Sequence, residues 1–444
     1  MTSLDPVDGI PIPVFERRRA EAFRALGRGV MVLPAAPLQY RSRDTEVPYR
    51  PDSELFWATG ATEPGTVAVL VGGQEPRAIL FVRERDEEAE LWSGPRLGPD
   101  GASERFGVAE AYPLGELSFR LPGLLRSGDR VHFRLGRHPA VDRMVLEALG
   151  EARARGARTG TGPRGVLDPG EVLDELRLRK DPLEIERLRA AAALSVEGHR
   201  AGLPFLRPGA GEWEVQAAVE AAFRRGGGSG PGYGTIVGSG PNACVLHYVE
   251  NGRVIQAGDA VLLDAGAEVS LYQGDITRTY PADGVFTPRQ RELYEVVESA
   301  RRAAVAAVAP SVTVAEVHRA AVRALVEGML GLGILTGDVD ELIAQEAHRA
   351  LFPHQTSHWL GLDVHDVGDY TRAEVSRALE PLMVLTVEPG LYVPRGQEGA
   401  AAPWAGIGMR IEDDVLVTAT GHEILTSALP TRAEDVEALV QEAR

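Results

Sequence analysis

An apolar run that ends in a carboxylate is the feature that most restricts how this chain can fold. Residues 261–266 read Val-Leu-Leu-Asp-Ala-Gly, and Asp275 lies eleven positions after Asp264, within Gly-Asp-Ile-Thr. A strand, a turn at residues 267–270 and a second short strand would place the two aspartates opposite each other across a hairpin. Two facing carboxylates repel each other unless a positive charge lies between them. Each aspartate alone is equally typical of a strand or turn cap, so the pair needs support from other segments.

Three histidines fall within twelve residues further along the chain. They are His354, His358 and His365, in the segment His-Gln-Thr-Ser-His-Trp-Leu-Gly-Leu-Asp-Val-His. The first two have the spacing of the zinc-binding HExxH helix, but Gln355 cannot act as a base there, and a nearby proline and glycine disfavour a helix. A lone histidine is usually structural. A histidine cluster beside paired carboxylates favours a functional site instead.

Two further segments carry carboxylates at strand positions. Glu388 ends an apolar strand and is followed directly by a Pro-Gly turn. In the segment 408–414, two-residue periodicity puts Arg410 and Glu412 on the same face of a strand, where the arginine could orient the glutamate. Taken alone, this segment is equally typical of a solvent-exposed run of charged residues. The candidate site residues from all four segments are Asp264, Asp275, His358, Glu388 and Glu412.

These five residues supply four carboxylates and one imidazole, which balance two divalent cations. A ligand set rich in oxygen with a single nitrogen suits Mn²⁺ or a similar ion better than a metal ion that prefers thiolate ligands. Two such ions can hold a bridging hydroxide and polarise a carbonyl, which is hydrolysis without a protein nucleophile. The sequence contains no G-x-S-x-G elbow, and Cys244 lies in an apolar context typical of an inert thiol.

Composition narrows the classes of partner. The chain has 444 residues with 47 Lys+Arg against 64 Asp+Glu, a net charge of −17, which disfavours nucleic acid and anionic membranes as partners. The single cysteine excludes intramolecular disulfides and cysteine-based zinc clusters. The single lysine, Lys180, follows no glycine-rich loop, which excludes a P-loop. The opening residues lack a signal-peptide pattern and no apolar run approaches a membrane span, so we expect a cytoplasmic protein.

The pattern of strands and helices predicts two domains. Apolar runs at 29–33, 66–71, 78–82 and 131–135 indicate strands of an α/β or α+β domain, and the Gly-, Pro- and Thr-rich stretch 159–170 is typical of a linker. Its Gly-x-Gly-x-x-Gly pattern follows no strand, which disfavours a dinucleotide site. Beyond it, capping boxes at Thr287, Thr313 and Thr431 alternate with strand signals at 235–237, 261–263, 383–387 and 409–417. We therefore predict an amino-terminal domain over 1–170 and an α+β domain with mainly antiparallel sheet over 171–444.

The motifs together resemble the pita-bread metallopeptidases and, within them, bacterial aminopeptidase P, the Xaa-Pro aminopeptidases. The resemblance includes the amino-terminal run 48–57, Pro-Tyr-Arg-Pro-Asp-Ser-Glu-Leu-Phe-Trp, the entry at 179–185 and all four segments above. It implies a creatinase-like amino-terminal α/β domain and a carboxy-terminal domain of curved antiparallel sheet covered by helices. The family usually has His-Gly-x-Ser-His, whereas Gln355 and Thr356 follow His354 here, which puts the substrate range in doubt more than metal binding.

The resemblance also implies roles for individual residues. Asp264, Asp275, His358, Glu388 and Glu412 would be the ligands of two metals, Asp275 and Glu412 bridging, with Glu388 also the general base. His247 and His365 would lie on the substrate side and stabilise the developing oxyanion. The proline pocket and its surroundings would include His354, Arg410, Tyr233 and Tyr392. Trp92 resembles a tryptophan that a neighbouring subunit lends to the site in tetrameric relatives.

The implied activity is release of the amino-terminal residue from peptides with proline in second position. Prolidase, which cleaves only Xaa-Pro dipeptides with the same metals, is the alternative, and a non-catalytic pita-bread binding module is a third. A methionine aminopeptidase would not need the long amino-terminal domain. The intact set of metal ligands argues against the metal-free creatinases. Mn²⁺ is the favoured ion, with Co²⁺, Zn²⁺ and Mg²⁺ open, and relatives are dimers or tetramers, so a homo-oligomer is expected.

Overall fold

The computed structural model describes residues 9–444 and divides the chain into two compact units. The first ends at Arg177, and the second runs from Leu178 to Arg444. Within the described residues, no helix is both long and apolar enough to cross a lipid bilayer. The helix Gly170–Leu178 spans the division.

The amino-terminal unit is built on a mixed sheet. Its strands, in spatial order, are Glu110–Pro113, Arg77–Val82, Val67–Val71, Val30–Pro34, Val131–His132 and Val166–Leu167. Its helices are Ile12–Leu26, Ser53–Thr59, Glu87–Ser93, Gly98–Phe106, Leu117–Arg126 and Pro139–Gly156, and Tyr40–Ser42 pairs with Thr45–Glu46 as a separate ribbon. The central strands are apolar and buried on both faces, as expected of strands covered by helices on both sides. Val166–Leu167 pairs with Val131–His132, so part of the stretch interpreted as a linker belongs to this sheet.

The carboxy-terminal unit combines helices with short antiparallel sheets. The helices are Pro182–Gly202, Glu212–Arg225, Pro288–Ala307, Val314–Gly331, Val339–Ala344 and Ala433–Glu442. The strands are Gly230–Pro231, Ile236–Ser239, Ala260–Asp264, Ala267–Val269, Tyr272–Gln273, Thr277–Pro281, Thr371–Arg372, Val375–Ser376, Val384–Val387, Gly390–Val393, Ile407–Arg410, Asp413–Val417 and His422–Ile424. Apolar faces of the helices and of the strands form one large core, which includes Phe223, Leu263, Tyr294 and Met409. That core supports one side of the strands from which the candidate site residues project.

Helix starts follow the capping chemistry at most of the predicted places. Asp181 caps Pro182–Gly202 with a reciprocal bond to Glu184, and Thr287 and Thr313 form capping boxes with the residues three positions on. The capping box predicted at Thr431 is wrong. The last helix begins two residues later, at Ala433, and the Thr431 hydroxyl instead donates to Glu298.

Antiparallel pairing brings the first two candidate segments together at one end of a sheet. The strand Ala260–Asp264 pairs with Ile236–Ser239 on one side and with Thr277–Pro281 on the other. Asp264 lies opposite Thr277, so Asp275 is two residues beyond the pair rather than directly across from Asp264. The predicted simple hairpin is wrong in this detail, because residues 267–273 form a separate ribbon that turns at Ser270 and Leu271, both with positive φ.

One ribbon with a single register carries the other two carboxylates. Val387 pairs with Asp413 and Gly390 pairs with Arg410, so the ladder keeps its register across the gap between them. Glu388 and Glu412 therefore occupy opposite positions in the gap. The strand predicted over 409–417 is in fact two strands, Ile407–Arg410 and Asp413–Val417, because Pro389 has no N–H to donate across the ladder and the Glu412 N–H donates to Thr277 instead.

Candidate active site

Three of the predicted ligands meet closely at the ends of these strands. Asp275, His358 and Glu412 each offer a ligand atom within 4.8 Å of the others, in a partly to fully buried setting. His358 Nε2 lies 3.4 Å from Asp275 Oδ2 and 3.5 Å from Glu388 Oε1. The segment 353–361 is not helical, as the proline and glycine predicted, and His358 is held by its main chain against Thr386.

Tyr233 joins the two aspartates. Its hydroxyl lies 2.5 Å from Asp264 Oδ1 and 2.6 Å from Asp275 Oδ1. Burial raises the pKa of Tyr233 well above its usual value, and the two carboxylates raise it further, so the hydroxyl keeps its proton and acts as a donor. Tyr233 thus fixes the spacing of Asp264 and Asp275.

Arg410 organises the opposite side of the cluster. Its guanidinium donates to Asp264 Oδ2 at 2.5 Å, to the Tyr392 hydroxyl at 3.0 Å and to Thr277 Oγ1 at 3.1 Å. The Thr277 hydroxyl in turn donates to Glu412 Oε2 at 2.6 Å. The expected direct bond from Arg410 to Glu412 is therefore replaced by a link through Thr277, since the guanidinium reaches across to Asp264.

Burial and mutual repulsion dominate the electrostatics of the carboxylates. Burial raises the pKa of Asp264 and, further still, that of Glu412, and the neighbouring carboxylates add to both shifts. Burial also raises the pKa of Glu388 to about 7, although His358 and Arg410 oppose the shift. Burial alone would lower the pKa of His358, but Asp275 and Glu388 outweigh it and raise it to about 9. Such a concentration of buried negative charge is stable only with cations or protons among the oxygens.

His354 and Tyr392 form a wall of the site beside Glu388. His354 Nε2 lies 2.9 Å from the Tyr392 hydroxyl, and His354 Nδ1 lies 3.6 Å from Glu388 Oε2. Burial, followed by the charge of Arg410, lowers the pKa of His354 to about 4, so the ring is neutral at pH 7. Gln355 next to it is exposed, which leaves its side chain outside this wall.

The predicted substrate-side histidines are accessible. His365 and His247 are both exposed, and the ring of His365 packs edge-on against that of His358 with 4.5 Å between centroids. Burial lowers the pKa of His365, with His358 as the next cause. Trp92 belongs to the amino-terminal unit, where its side chain is 85% exposed on the helix Glu87–Ser93. Its predicted role stays a prediction.

Sequence reasoning missed three residues that hydrogen-bond either to the predicted site residues or to the segment that carries them. Thr277 links Arg410 to Glu412, and its position two residues after Asp275 was the available signal. Asp414 is fully buried and accepts the main-chain N–H of Asp275 at 3.1 Å. His318 contacts the histidine segment from a helix, and nothing in the sequence connects these two places.

Comparison with known proteins identifies the family. The profile of metallopeptidase family M24 matches residues 186–419, and that of the aminopeptidase P N-terminal domain matches residues 15–132. The chain belongs to metallopeptidase family M24. It is 44% identical over 433 residues to an Xaa-Pro aminopeptidase of Escherichia coli K12, a match that covers 97% of this chain and 98% of the relative.

Solved structures of the M24 family match over almost the whole chain. A structure of the Pseudomonas aeruginosa aminopeptidase PepP has a TM-score of 0.93 at 43% identity and covers 98% of this chain and 99% of that one. A zinc-substituted E. coli aminopeptidase P in complex with product matches with the same TM-score, identity and coverage. The predicted family, the α+β fold with a pita-bread carboxy-terminal domain, and the prediction of a metallopeptidase are therefore confirmed.

Proposed function

We propose that this M24 enzyme is an Xaa-Pro aminopeptidase, which releases the amino-terminal residue from peptides with proline in second position. The observation that carries the proposal is the meeting of Asp275, His358 and Glu412 within 4.8 Å, with Asp264 and Glu388 bonded into the same cluster. Similarity to Xaa-Pro aminopeptidases over 97% of the chain supports the substrate class.

The donor set fits two divalent ions. Asp264, Asp275, His358, Glu388 and Glu412 would hold them. Four carboxylates and one imidazole favour Mn²⁺, and Co²⁺, Zn²⁺ or Mg²⁺ suit the same oxygens. The raised pKa values of the buried carboxylates support this fit, because cations would offset the repulsion that causes them. When bound, such ions supply an activated water and polarise the scissile carbonyl.

Glu388 is the proposed general base. Its carboxylate lies inside the cluster, 3.5 Å from His358 Nε2 and 3.6 Å from His354 Nδ1, where it can accept a proton from water and return it. The Thr386 hydroxyl, 3.3 Å from Glu388 Oε1, and the main-chain bond to Thr356 fix its position. We assign the transfer of the proton from water to the leaving nitrogen to this residue.

The exposed histidines suit the substrate side. His365 and His247 would donate to the carbonyl oxygen of the scissile bond as negative charge develops there. A pocket of His354, Tyr392 and Arg410 would receive the proline ring. Proline requires a specialised pocket because its ring fixes the backbone and its nitrogen carries no N–H for a general subsite to bind.

Assembly and location are part of the same proposal. The high exposure of Trp92 supports a role in which a neighbouring subunit of a dimer or tetramer receives it. A single cysteine, whose thiol pKa is raised by burial to about 11, is compatible with a reducing, cytoplasmic location.

Mass spectrometry of products tests the proposal. The Mn²⁺-loaded protein is incubated with Ala-Pro-Ala and Ala-Pro together. Loss of alanine from the tripeptide, with the dipeptide intact, is expected. Consumption of the dipeptide alone would assign a prolidase, and consumption of neither would leave only a binding module.

A further inference from the structure

A partly buried hydrogen bond connects the active-site loop to the helix Val314–Gly331. His318, on the helix Val314–Gly331, lies 2.8 Å from the hydroxyl of Thr356 through its Nδ1 atom. Thr356 is fully buried, and its main-chain carbonyl accepts the N–H of Glu388 at 2.8 Å. One threonine therefore joins the imidazole on the helix to the main chain of the proposed general base.

The His318 imidazole is also connected, by packing of aromatic rings, to the wall formed by His354 and Tyr392. The rings of His318 and Phe352 lie 6.0 Å apart, and Phe352 packs edge-on against His354 at 4.7 Å between centroids. His354 then contacts the Tyr392 hydroxyl. A polar path to Glu388 and an apolar path to His354 thus start from one side chain.

The protonation state of His318 suits this role. Burial, followed by the nearby His348 and Arg349, lowers its pKa to about 4, so the ring is neutral at pH 7. A neutral imidazole offers one donor and one acceptor, and a threonine hydroxyl can complement either. The hydrogen bond therefore forms without placing a charged imidazolium in a buried position.

The sequence departs from the usual family pattern at this place. Residues 355 and 356 are Gln and Thr, whereas the family usually has Gly at the first of these positions. The Gln355 side chain is exposed, and the Thr356 side chain is turned toward His318. Thr356 therefore anchors the loop, and the departure at Gln355 lies outside the pocket.

We propose that His318 is a positioning residue of the active site, which acts through Thr356 to hold the main chain of Glu388 and, through Phe352, the ring of His354. The proposal rests on the function proposed above for Glu388 and His354. A helix outside the cluster would then set the geometry of the base.

Substitutions at the two bonded side chains test this role. His318→Phe keeps the ring contact and removes the hydrogen bond, and Thr356→Val removes only the hydroxyl. Each should lower kcat on Ala-Pro-Ala about tenfold with KM changed less than about twofold, the size expected for one buried hydrogen bond. The double variant should lose about tenfold and not a hundredfold, because both changes remove one interaction.

Two variants serve as controls. Thr356→Ser keeps the hydroxyl and should restore the wild-type kcat. His348→Phe alters a histidine whose ring contacts the same Phe352 ring at 6.3 Å. Within residues 9–444 only its main-chain carbonyl bonds to Leu351 and Phe352, which the substitution keeps, so kcat should stay unchanged. If His318→Phe does not fold, the difference between Val and Ser at position 356 decides the proposal.

Calorimetric titration with Mn²⁺ separates this proposal from the proposed function. Loosening the main chain of Glu388 should weaken Mn²⁺ binding about tenfold in His318→Phe and Thr356→Val, and not in the two controls, as is usual for groups that orient metal ligands. If the wild type cleaves no proline peptide, the proposed function fails, and the Mn²⁺ affinities alone decide the role of His318. The proposal is overturned if kcat and Mn²⁺ affinity stay within twofold of the wild type, or if the double variant loses about a hundredfold.

Discussion

The single lysine of the chain forms a buried ion pair that a mutation can break, and its own chemical labelling reports the result. Lys180 Nζ lies 2.8 Å from Asp366 Oδ2, and both side chains are 1% exposed. Gly361 makes room for the pair, since a Cβ there would lie 2.0 Å from the same carboxylate oxygen. Asp366 follows His365 directly, so this ion pair anchors the loop that carries a proposed substrate-side histidine.

Asp366→Asn keeps the shape of the side chain and removes its charge. At 2.8 Å and an effective dielectric constant of about 20, the attraction between the two charges is about 6 kcal/mol. Part of it offsets the desolvation of both groups, and leaving one partner of a buried pair uncompensated costs about 3–5 kcal/mol. The open state of this region should therefore become more populated by between about a hundredfold and several thousandfold.

Amine labelling followed by peptide mapping measures that population. Because Lys180 is the only lysine, an amine-reactive reagent modifies it and the terminal amine alone, and the rate at Lys180 reports local opening. The control is Arg179→Gln, next to Lys180, which removes an exposed ion pair with Glu380 worth at most about 1 kcal/mol. Equal labelling of wild type and Asp366→Asn, or equal acceleration by both variants, would refute the reasoning.

Three further outcomes are expected. Asp275→Asn should abolish turnover and the binding of two Mn²⁺ ions while the circular dichroism spectrum stays unchanged; undiminished turnover would refute the metal assignment. Glu212→Gln should lower kcat/KM about tenfold by weakening the bonds from Ser239, Tyr248 and Arg253 that hold the loop bearing His247, as steady-state kinetics would detect. Burial lowers the pKa of His199 to about 3, so the folded wild type loses stability as the pH falls below about 6.5, and His199→Gln should lose less. Urea unfolding measures the loss of unfolding free energy between pH 7 and pH 5, and an equal loss in both proteins would contradict this prediction.

The sequence predicted the parts of the site that depend on local patterns. Asp264 and Glu388 each follow an apolar run, so the strand that carries them could be recognised and its end located. The capping boxes at Thr287 and Thr313 were readable for the same reason, because donor and acceptor lie three residues apart. Local chemistry of this kind needs no knowledge of the fold.

Contacts between distant segments could not be predicted in this way. The guanidinium of Arg410 reaches Asp264, 146 residues away, although its neighbour Glu412 is closer in sequence. The alternation of strand residues indicates only which face a side chain occupies, and not which strand lies beside it. The error at Thr431 also comes from distant contacts: its carbonyl accepts the Tyr294 hydroxyl, its own hydroxyl donates to Glu298, and the helix starts at Ala433.

The ribbon that holds Glu388 and Glu412 opposite each other also determines where the chain tolerates changes in length. Paired residues on both sides of the gap fix the register, so the connection at 394–406 contributes nothing to the alignment of the two carboxylates. Insertions near Glu398, which is exposed and lies before the buried Trp404, lengthen only that connection. One residue added within 388–389 would instead turn one carboxylate to the far face of the ribbon. The same antiparallel pair thus contains a segment free to vary in evolution next to one in which no residue can be gained or lost.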